Sequence, residues 1–289
     1  MSEIIVKFVK PDKSTFVIRQ EGDWRFLKNG LVGFGLVNSQ LSYVDNVMGD
    51  GGEIKNVRLT RVDRTVSTAY MLREYNEQAR KSFTKFFTPR NTYRIYLTYM
   101  GETRWAEGML YKLQMSEKLE NDNLLTATMT FAFANPLWKS VDDFGKDIAE
   151  VSERWGFPWM CDISKSGIPV GVFNFDRTVN LYNDGDVATY PKVIILAKGY
   201  CENPVFKIND AYVKINDVMQ DGDEIELDLG ALPPTVRKNG ANYFGHADKS
   251  SEFTKMYLDL GNNVVSFDAD NGSDNIAVTV YYNKMYMVI

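Results

Sequence analysis

Residues able to perform acid–base or nucleophilic chemistry are few in this sequence, and its one histidine shows how isolated they are. His246 lies in a polar segment that follows Phe244-Gly245. A serine hydrolase would hold its nucleophile in a recognisable turn, and no Gly-x-Ser-x-Gly motif occurs. A zinc site would need regularly spaced ligands, whereas Cys161 and Cys201 are distant from each other and from His246. We therefore interpret His246 as a surface-loop residue.

Two acidic clusters could suggest a calcium site or the carboxylate pair of a glycosidase. In residues 221–228, the acids from Glu224 onwards alternate with apolar residues, which is typical of the solvated face of a strand that follows a turn. Residues 268–274 lack the glutamate that completes an EF-hand loop, and a hairpin turn accounts for them. Neither cluster predicts a metal or catalytic site.

The glycine-rich residues 29–35 and a group of aromatic residues are the remaining candidates for binding chemistry. The glycines lack the Gly-Lys-Ser/Thr ending of a phosphate-binding loop. Trp155, Trp159 and Tyr243 could stack on sugar rings, although aromatics at a domain junction more often bury hydrophobic area. The sequence thus predicts no catalytic residue, cofactor or metal, and leaves glycan stacking as an alternative.

The overall composition indicates a globular chain and excludes several classes of function. The 289 residues are 44% hydrophobic and 25% charged, and the aromatic fraction of 13% favours β structure. A net charge of −5 argues against general nucleic-acid binding. No signal peptide or membrane span is recognisable, and two cysteines are too few for a disulfide framework, so we expect synthesis in the cytoplasm.

One helix is predicted in the first half, over about residues 70–88. Its apolar residues recur at spacings of three and four, and Glu77 and Lys81 are placed as an i,i+4 ion pair. Ser67 or Thr68 would cap its start. The stripe is typical of a helix packed on a sheet, and a groove for a partner is the alternative. The stripe consists of Leu72, Tyr75, Ala79, Phe83 and Phe86.

The rest of the first half shows strand patterns and one long irregular segment. Alternation over residues 109–115 and 125–133 predicts a long hairpin with one buried face, which would include Met109 and Tyr111. Residues 22–52 are rich in glycine and have no stable period, which predicts an extended arm or a long loop in contact with a neighbour. Residues 30–52 are assigned to this arm. The arm residues proposed for this contact are Gly30, Leu31, Val32, Gly33, Phe34, Gly35, Met48 and Gly49.

A domain boundary is predicted after the hairpin, where Asn135-Pro136-Leu137-Trp138 ends a strand. Residues 1–138 are assigned to an N-terminal domain, the acidic residues 139–154 to a linker, and residues 155–289 to a C-terminal domain. In the latter, short strands alternate with Asn/Asp-Gly turns. The predicted fold class is mainly β with one helix: a β-barrel-like N-terminal domain and a C-terminal β-sandwich or jelly roll.

The order of these features resembles the distal tail protein family of phages with long tails, also called the siphovirus tail component family. Three stretches carry the resemblance: the Asn-Pro-Leu-Trp of residues 135–138, residues 179–193 with their Asn-Asp-Gly-Asp turn, and residues 258–267 followed by Tyr281-Tyr282. The predicted helix, followed by Pro89, also falls where the family has its N-terminal helix. The acidic stretch 139–154 is longer than a minimal connection.

The resemblance implies a structural virion protein at the distal end of the tail, at the tail tip or baseplate hub, rather than an enzyme. The N-terminal domain would form a ring, commonly hexameric, and the C-terminal domain would be a galectin-like sandwich. Partners would be further copies of itself, the major tail tube protein, a tail-associated or baseplate hub protein, and a receptor-binding protein. DNA would pass through the ring without sequence-specific binding, and no membrane is involved. The alternative is a carbohydrate-binding or adhesin module acting through the C-terminal sandwich.

Overall fold

The chain forms two compact units, each with its own core. The computed structural model describes residues 3–46, 48–72, 76–116, 124–141 and 177–288, together with the backbone of three short strands between residues 144 and 173. The first unit consists of Met1–Val141 and Met285–Ile289, and the second of Asp142–Lys284. The observed division therefore falls within the predicted linker 139–154, but the final five residues group with the first unit rather than with the second.

The first unit is built on one antiparallel sheet and one helix. The sheet runs in the order β2-β1-β7-β8-β9-β6-β3, and β4 pairs with β5 in a separate two-stranded sheet. The elements of this unit are β1 Ile5–Val9, β2 Thr15–Arg19, β3 Trp24–Val32, β4 Ser39–Asp45, β5 Gly52–Leu59, β6 Val62–Tyr70, α1 Asn76–Phe86, β7 Thr92–Tyr99, β8 Glu102–Met115, β9 Leu125–Phe133 and β10 Trp138–Ser140.

The large sheet curls without closing. Its end strands β2 and β3 are not hydrogen-bonded to each other in the described part of the chain, although the rings of Phe16 and Trp24 meet with centroids 6.1 Å apart. Every second residue of β9 is buried, as expected for a strand with one face on a core. The predicted mainly β fold with a single helix is thus confirmed, and the N-terminal unit is barrel-like rather than a closed barrel.

The helix packs on the sheet but begins later than the sequence predicts. The rings of Phe83 and Trp24 lie 4.3 Å apart, and Glu77 and Lys81 form the predicted ion pair at 2.6 Å. The predicted cap residues were wrong, because Thr68 lies in β6 and its hydroxyl donates to the Arg25 carbonyl oxygen. Leu72 fits the helical spacing, yet it is exposed and precedes the helix.

The long hairpin of β8 and β9 is present, but residues 109–111 of β8 show the opposite face to that predicted. Tyr111 is an extra residue in β8, since Leu110 pairs with Phe131 and Lys112 pairs with Thr130. A bulge of this kind shifts the alternation by one residue. Leu110 is therefore buried, whereas Met109 and Tyr111, which were predicted to face the core, are exposed.

The second unit is a β-sandwich. A six-stranded sheet β11-β23-β15-β19-β20-β21 and a five-stranded sheet β14-β22-β16-β17, with β18 on β16, contribute to one core that includes Val193 and Phe206. Its strands are β11 Phe144–Asp147, β12 Val151–Ser152, β13 Val172–Phe173, β14 Thr178–Asn183, β15 Lys192–Ala197, β16 Cys201–Ile208, β17 Ala211–Lys214, β18 Val218–Met219, β19 Glu224–Asp228, β20 Thr235–Lys238, β21 Ala241–Asn242, β22 Gly261–Asn271 and β23 Ile276–Tyr282. The predicted sandwich is confirmed.

The carboxyl end of the chain returns to the first unit as β24, Met285–Tyr286, which pairs with β10. Arg104 holds it there: its guanidinium carbon lies 3.7 Å from the centroid of the Tyr286 ring, and its Nη1 donates to the Val288 carbonyl oxygen. The predicted C-terminal domain 155–289 differs from the structure at this point, because pairing over such a sequence distance leaves no local pattern.

Candidate subunit interface

The most exposed element of the first unit is the hairpin of β4 and β5, which we call the arm (residues 39–59). Every residue of both strands is exposed, so the arm packs on no core in the described part of its own chain. Its base is closed by a hydrogen bond from the Thr60 N–H to the Asn38 carbonyl oxygen at 2.8 Å. An isolated two-stranded hairpin is at best marginally stable in water, so this element gains from a further surface to pack on.

The arm has one apolar face, which strand pairing makes visible. Residues directly opposite each other on paired strands point to the same side of a sheet. Leu41 pairs with Val57, and Tyr43 pairs with Ile54 after a bulge at Lys55. Together with Leu59 at the base, these four side chains form a continuous apolar face that is open to solvent. Contiguous exposed apolar surface is typical of a protein–protein interaction site.

The opposite face of the arm is polar apart from Val44, and its tip is acidic. Arg58 donates to the side-chain oxygen of Gln40 at 2.7 Å, next to the paired Ser42 and Asn56. At the tip, the acids are Asp45, Asp50 and Glu53, whereas the basic residues Lys55 and Arg58 lie nearer the base. The arm is therefore amphipathic. Strands with one apolar and one polar face are typical of sheets that have one face covered and the other in water.

The arm occupies different residues from those predicted. Residues 30–35 belong to the body of the unit: Gly30 lies in β3, where a Cβ atom would approach the Ser67 carbonyl oxygen to 2.4 Å, and Phe34 is buried. Gly33 has φ +81° and packs closely on Asp63, so it too is held by the body. Of the eight predicted interface residues, Met48 and Gly49 lie on the observed arm, and Met48 is fully exposed. The exposed hairpin thus spans residues 39–59 and overlaps the predicted arm 30–52 in part, and the contact predicted for residues 30–35 stays a prediction.

A buried arginine that follows the arm in sequence, Arg64, holds the chain segment that precedes the arm. The guanidinium carbon of Arg64 in β6 lies 4.1 Å from the centroid of the Trp138 ring and 4.2 Å from that of Phe133. Its Nη2 donates to the Pro136 carbonyl oxygen at 2.6 Å, and its Nε lies 3.4 Å from the Gly33 carbonyl oxygen. Arg64 thus connects the segment leading into the arm with the Asn-Pro-Leu-Trp stretch. Sequence reasoning missed it, although it has the phase of the buried residues of β6.

Burial dominates the electrostatics of Arg64. Its side chain is inaccessible to solvent, and this burial lowers the pKa of Arg64 to about 10. At neutral pH the group therefore remains charged. Its Nη1 has no hydrogen-bond partner among the described residues. The charge is stabilised instead by the two ring faces and the carbonyl oxygens, which suits a fixed structural joint.

The other candidate residues form no catalytic or metal site in the described part of the chain. His246 is exposed as predicted, and its ring stacks on Tyr243 at 3.8 Å, which covers one face of the tyrosine proposed for sugar stacking. Cys201 is buried, and burial raises the pKa of its thiol to about 11. Trp155 and Trp159 lie outside the described residues, as does Cys161.

The first acidic cluster follows the predicted strand alternation. The acids of β19 lie on the solvent side and alternate with buried Ile225 and Leu227. No group of three or more His, Cys, Asp or Glu side chains among the described residues could hold a metal ion. In the same residues, no helix has the length and apolar character needed to cross a membrane. The arm is therefore the feature that invites a functional explanation.

Comparison with known proteins gives this arrangement a context. Residues 184–286 match the family model described as the C-terminal domain of a siphovirus-type tail component. No curated protein is similar enough in sequence to count as a relative of the chain. The fold is similar to the crystal structure of SPP1 Dit (gp 19.1), described as a paradigm of the hub adsorption apparatus in phages that infect Gram-positive hosts. The TM-score is 0.62 and the identity 13%, over 97% of this chain and 98% of that one.

The fold is also similar to a chain of the phage P2 baseplate in its activated conformation with Ca, with a TM-score of 0.54 and 12% identity over 100% of both chains. The same baseplate with Sr gives a TM-score of 0.54 and 12% identity over 99% of both chains. The predicted resemblance to the phage distal tail proteins is therefore confirmed: residues 184–286 carry the sequence pattern of the siphovirus-type tail component, and the fold is similar to that of SPP1 Dit.

Proposed function

We propose that this chain is a structural subunit of a phage tail tip or baseplate that assembles with further copies of itself into a closed ring. The observation that carries the proposal is the arm, which presents an apolar face with no partner in its own described chain. Burying that face on a neighbour supplies the favourable free energy of assembly. One protruding element that fits one different surface is also what a closed ring of identical subunits requires.

The finer features of the proposal rest on the likeness to known tail proteins. We expect the ring to be a hexamer that joins the tail tube to the tail-tip or baseplate proteins and lets DNA pass through its centre. Partners would be the major tail tube protein on one side, a tail-associated or baseplate hub protein on the other, and a receptor-binding protein. The similarity to SPP1 Dit, described as part of a hub adsorption apparatus, supports this position in the virion.

The proposal is tested by the mass of the purified chain and by removal of the arm. Light scattering should give a multiple of the 33.0 kDa protomer, and negative-stain microscopy should show rings. Replacing residues 40–58 with a two-residue turn should leave a folded monomer, because the Thr60–Asn38 hydrogen bond already brings the ends together. A wild-type chain that stays monomeric at high concentration, also with the tube protein present, would contradict the proposal. A ring that survives loss of the arm would contradict the role given to the arm.

A further inference from the structure

A basic cleft lies on the first unit at the turn between β1 and β2. Its volume is about 430 Å³, and it is lined by the ends of β1 and β7 and by the β1–β2 turn. Three bases face one acid in this lining: Lys10, Lys13 and Arg94 against Glu107. The chain as a whole has a net charge of −5, so the excess of positive charge is local. The other lining residues are Val9, Pro11, Thr92 and Tyr96.

The two lysines of the cleft have no ion-pair partner in the described chain. Glu107 is occupied by Arg94, whose Nη2 lies 3.2 Å from its carboxylate. Lys10 donates to the Lys85 carbonyl oxygen at 3.3 Å and sits 4.8 Å from the centroid of the Phe86 ring. Neither Lys10 nor Lys13 has a carboxylate within 4.0 Å among the described residues. Asp12 in the same turn attracts Lys10 through space, but its carboxylate accepts hydrogen bonds from the N–H and hydroxyl of Ser14, so both lysines remain available to an acidic ligand.

The arm tip has the complementary chemistry. Asp45 and Asp50 are exposed, and neither has a basic partner within 4.0 Å among the described residues. Glu53 is exposed as well, although Lys55 contacts it. Beside these acids the tip presents exposed Met48, which suits the apolar part of the cleft at Val9, Pro11 and Tyr96. Opposite charges on two surfaces steer association and fix its register.

We propose that the acidic arm tip of one subunit docks into the basic cleft of the next copy of this chain. The inference rests on the proposed ring and names the surface that receives the arm. In one protomer the arm is exposed along its whole length, so it does not fill its own cleft. The arm leaves from β3 and β6, whereas the cleft lies on β1 and β7, with β8 and β9 between β7 and β6 in the sheet. Two different surfaces of the same chain give the head-to-tail contact that closes a ring.

Charge reversal tests the pairing. The double variant Lys10→Glu/Lys13→Glu should weaken assembly in low salt by roughly 10- to 100-fold, because it places like charges at the contact. Asp45→Lys/Asp50→Lys should weaken it similarly. The variant that carries all four changes should recover the wild-type mass, since the attraction is restored with its signs exchanged. Lys198→Glu/Lys207→Glu, on exposed lysines of the second unit, is the matched control and should assemble normally.

The readouts are light scattering for mass and circular dichroism for folding. If Lys10→Glu unfolds the unit because the Lys10 contacts with the helix are lost, the single variant Lys13→Glu still tests the pairing. If the wild type is a multimer and both Lys13→Glu and the cleft double variant assemble as it does, the pairing is overturned and the proposed ring still stands. If the wild type is monomeric, the ring itself is contradicted. Failure of the fourfold variant to reassemble would place the arm on another surface. The cleft variants are also tested for binding to double-stranded DNA. If they assemble normally but lose this binding, the cleft binds phosphate, which also overturns the pairing.

Discussion

Replacing Tyr43 with serine should weaken assembly of the ring while leaving the protomer folded. Tyr43 lies on the apolar face of the arm, opposite Ile54, and is 67% exposed in the protomer. Its side chain therefore contributes little to the stability of the isolated chain. Exposed substitutions of this kind usually change the free energy of unfolding by no more than about 0.5 kcal/mol. The cost of Tyr43→Ser should appear in association instead.

The size of that cost follows from the exposed area. A tyrosine buries about 200 Å² when it is fully covered, and two thirds of this is roughly 130 Å². At about 25 cal/mol per Å², covering it contributes about 3 kcal/mol to each contact between subunits. A free-energy loss of that size corresponds to roughly a 100-fold weaker pairwise affinity. Incomplete coverage of the side chain in the ring would reduce the effect.

A dilution series followed by light scattering or sedimentation measures this affinity, and thermal melting of the monomer checks the fold. Tyr182→Ser is the matched control, because Tyr182 is 59% exposed and lies on β14 of the second unit. It should dissociate at the wild-type concentration. If Tyr43→Ser also does so, the apolar face of the arm is not buried in the assembly. If it lowers the melting temperature of the monomer strongly, the arm belongs to the protomer core.

Substitutions at two further residues test the stability of the separate units. Arg64→Met should destabilise the first unit by only about 1 kcal/mol, because it removes the cost of burying the charge, which lowers the pKa of Arg64 to about 10, and this offsets most of the lost ring contacts and hydrogen bond. Arg64→Ala also leaves a cavity and should cost about 4 kcal/mol. Equal losses of stability for the two variants in urea unfolding would refute the role of side-chain volume. In the second unit, hydrogen bonds from the Gln220 N–H and the Asn239 side chain, with Lys238 at 3.2 Å, lower the pKa of Asp223 to about 2. A lowered carboxyl pKa stabilises the fold above the unfolded pKa of about 4 and loses this effect as the pH falls through about 2. Asp223→Asn should therefore cost roughly 1–2 kcal/mol at pH 7 and flatten the fall in stability between pH 4 and 2, and an unchanged acid profile would count against the assigned pKa.

Strands that pack one face on a core were predictable from the sequence. In β9, every second residue is buried, and threonine stands at most of the positions between them. β15 has the same alternating burial, although Val193 to Ala197 are all apolar. The acids of β19 could be assigned to the solvent side by the same argument. Burial on one face imposes a period of two on the sequence, so the fold class follows from local patterns.

Local sequence patterns predict the wrong burial where strand pairing or a chain connection shifts the alternation of buried and exposed residues. The bulge at Tyr111 moves Met109 to the solvent side, and nothing in the amino-acid types marks the extra residue. Leu72 continues the helical spacing, although the chain there is still leaving β6. The return of β24 to β10 depends on pairing across almost half the chain. Arg64 could have been found, since it shares the phase of buried Val62 and Val66 in β6.

The arm shows why the candidate interface was located only in part. In the sequence, Ile54 and Val57 are three residues apart, which interrupts the period of two, and the glycines around them favour an irregular loop. Strand pairing explains the spacing of three residues, because the bulge at Lys55 brings both Ile54 and Val57 to the apolar face shared with Leu41 and Tyr43. The arm thus has the alternation of a half-buried hairpin, while the protomer buries neither of its faces. An amphipathic element that packs on no core in the described part of its own chain gains stability from a further surface, and this mismatch between pattern and burial is why we propose the arm as an interface.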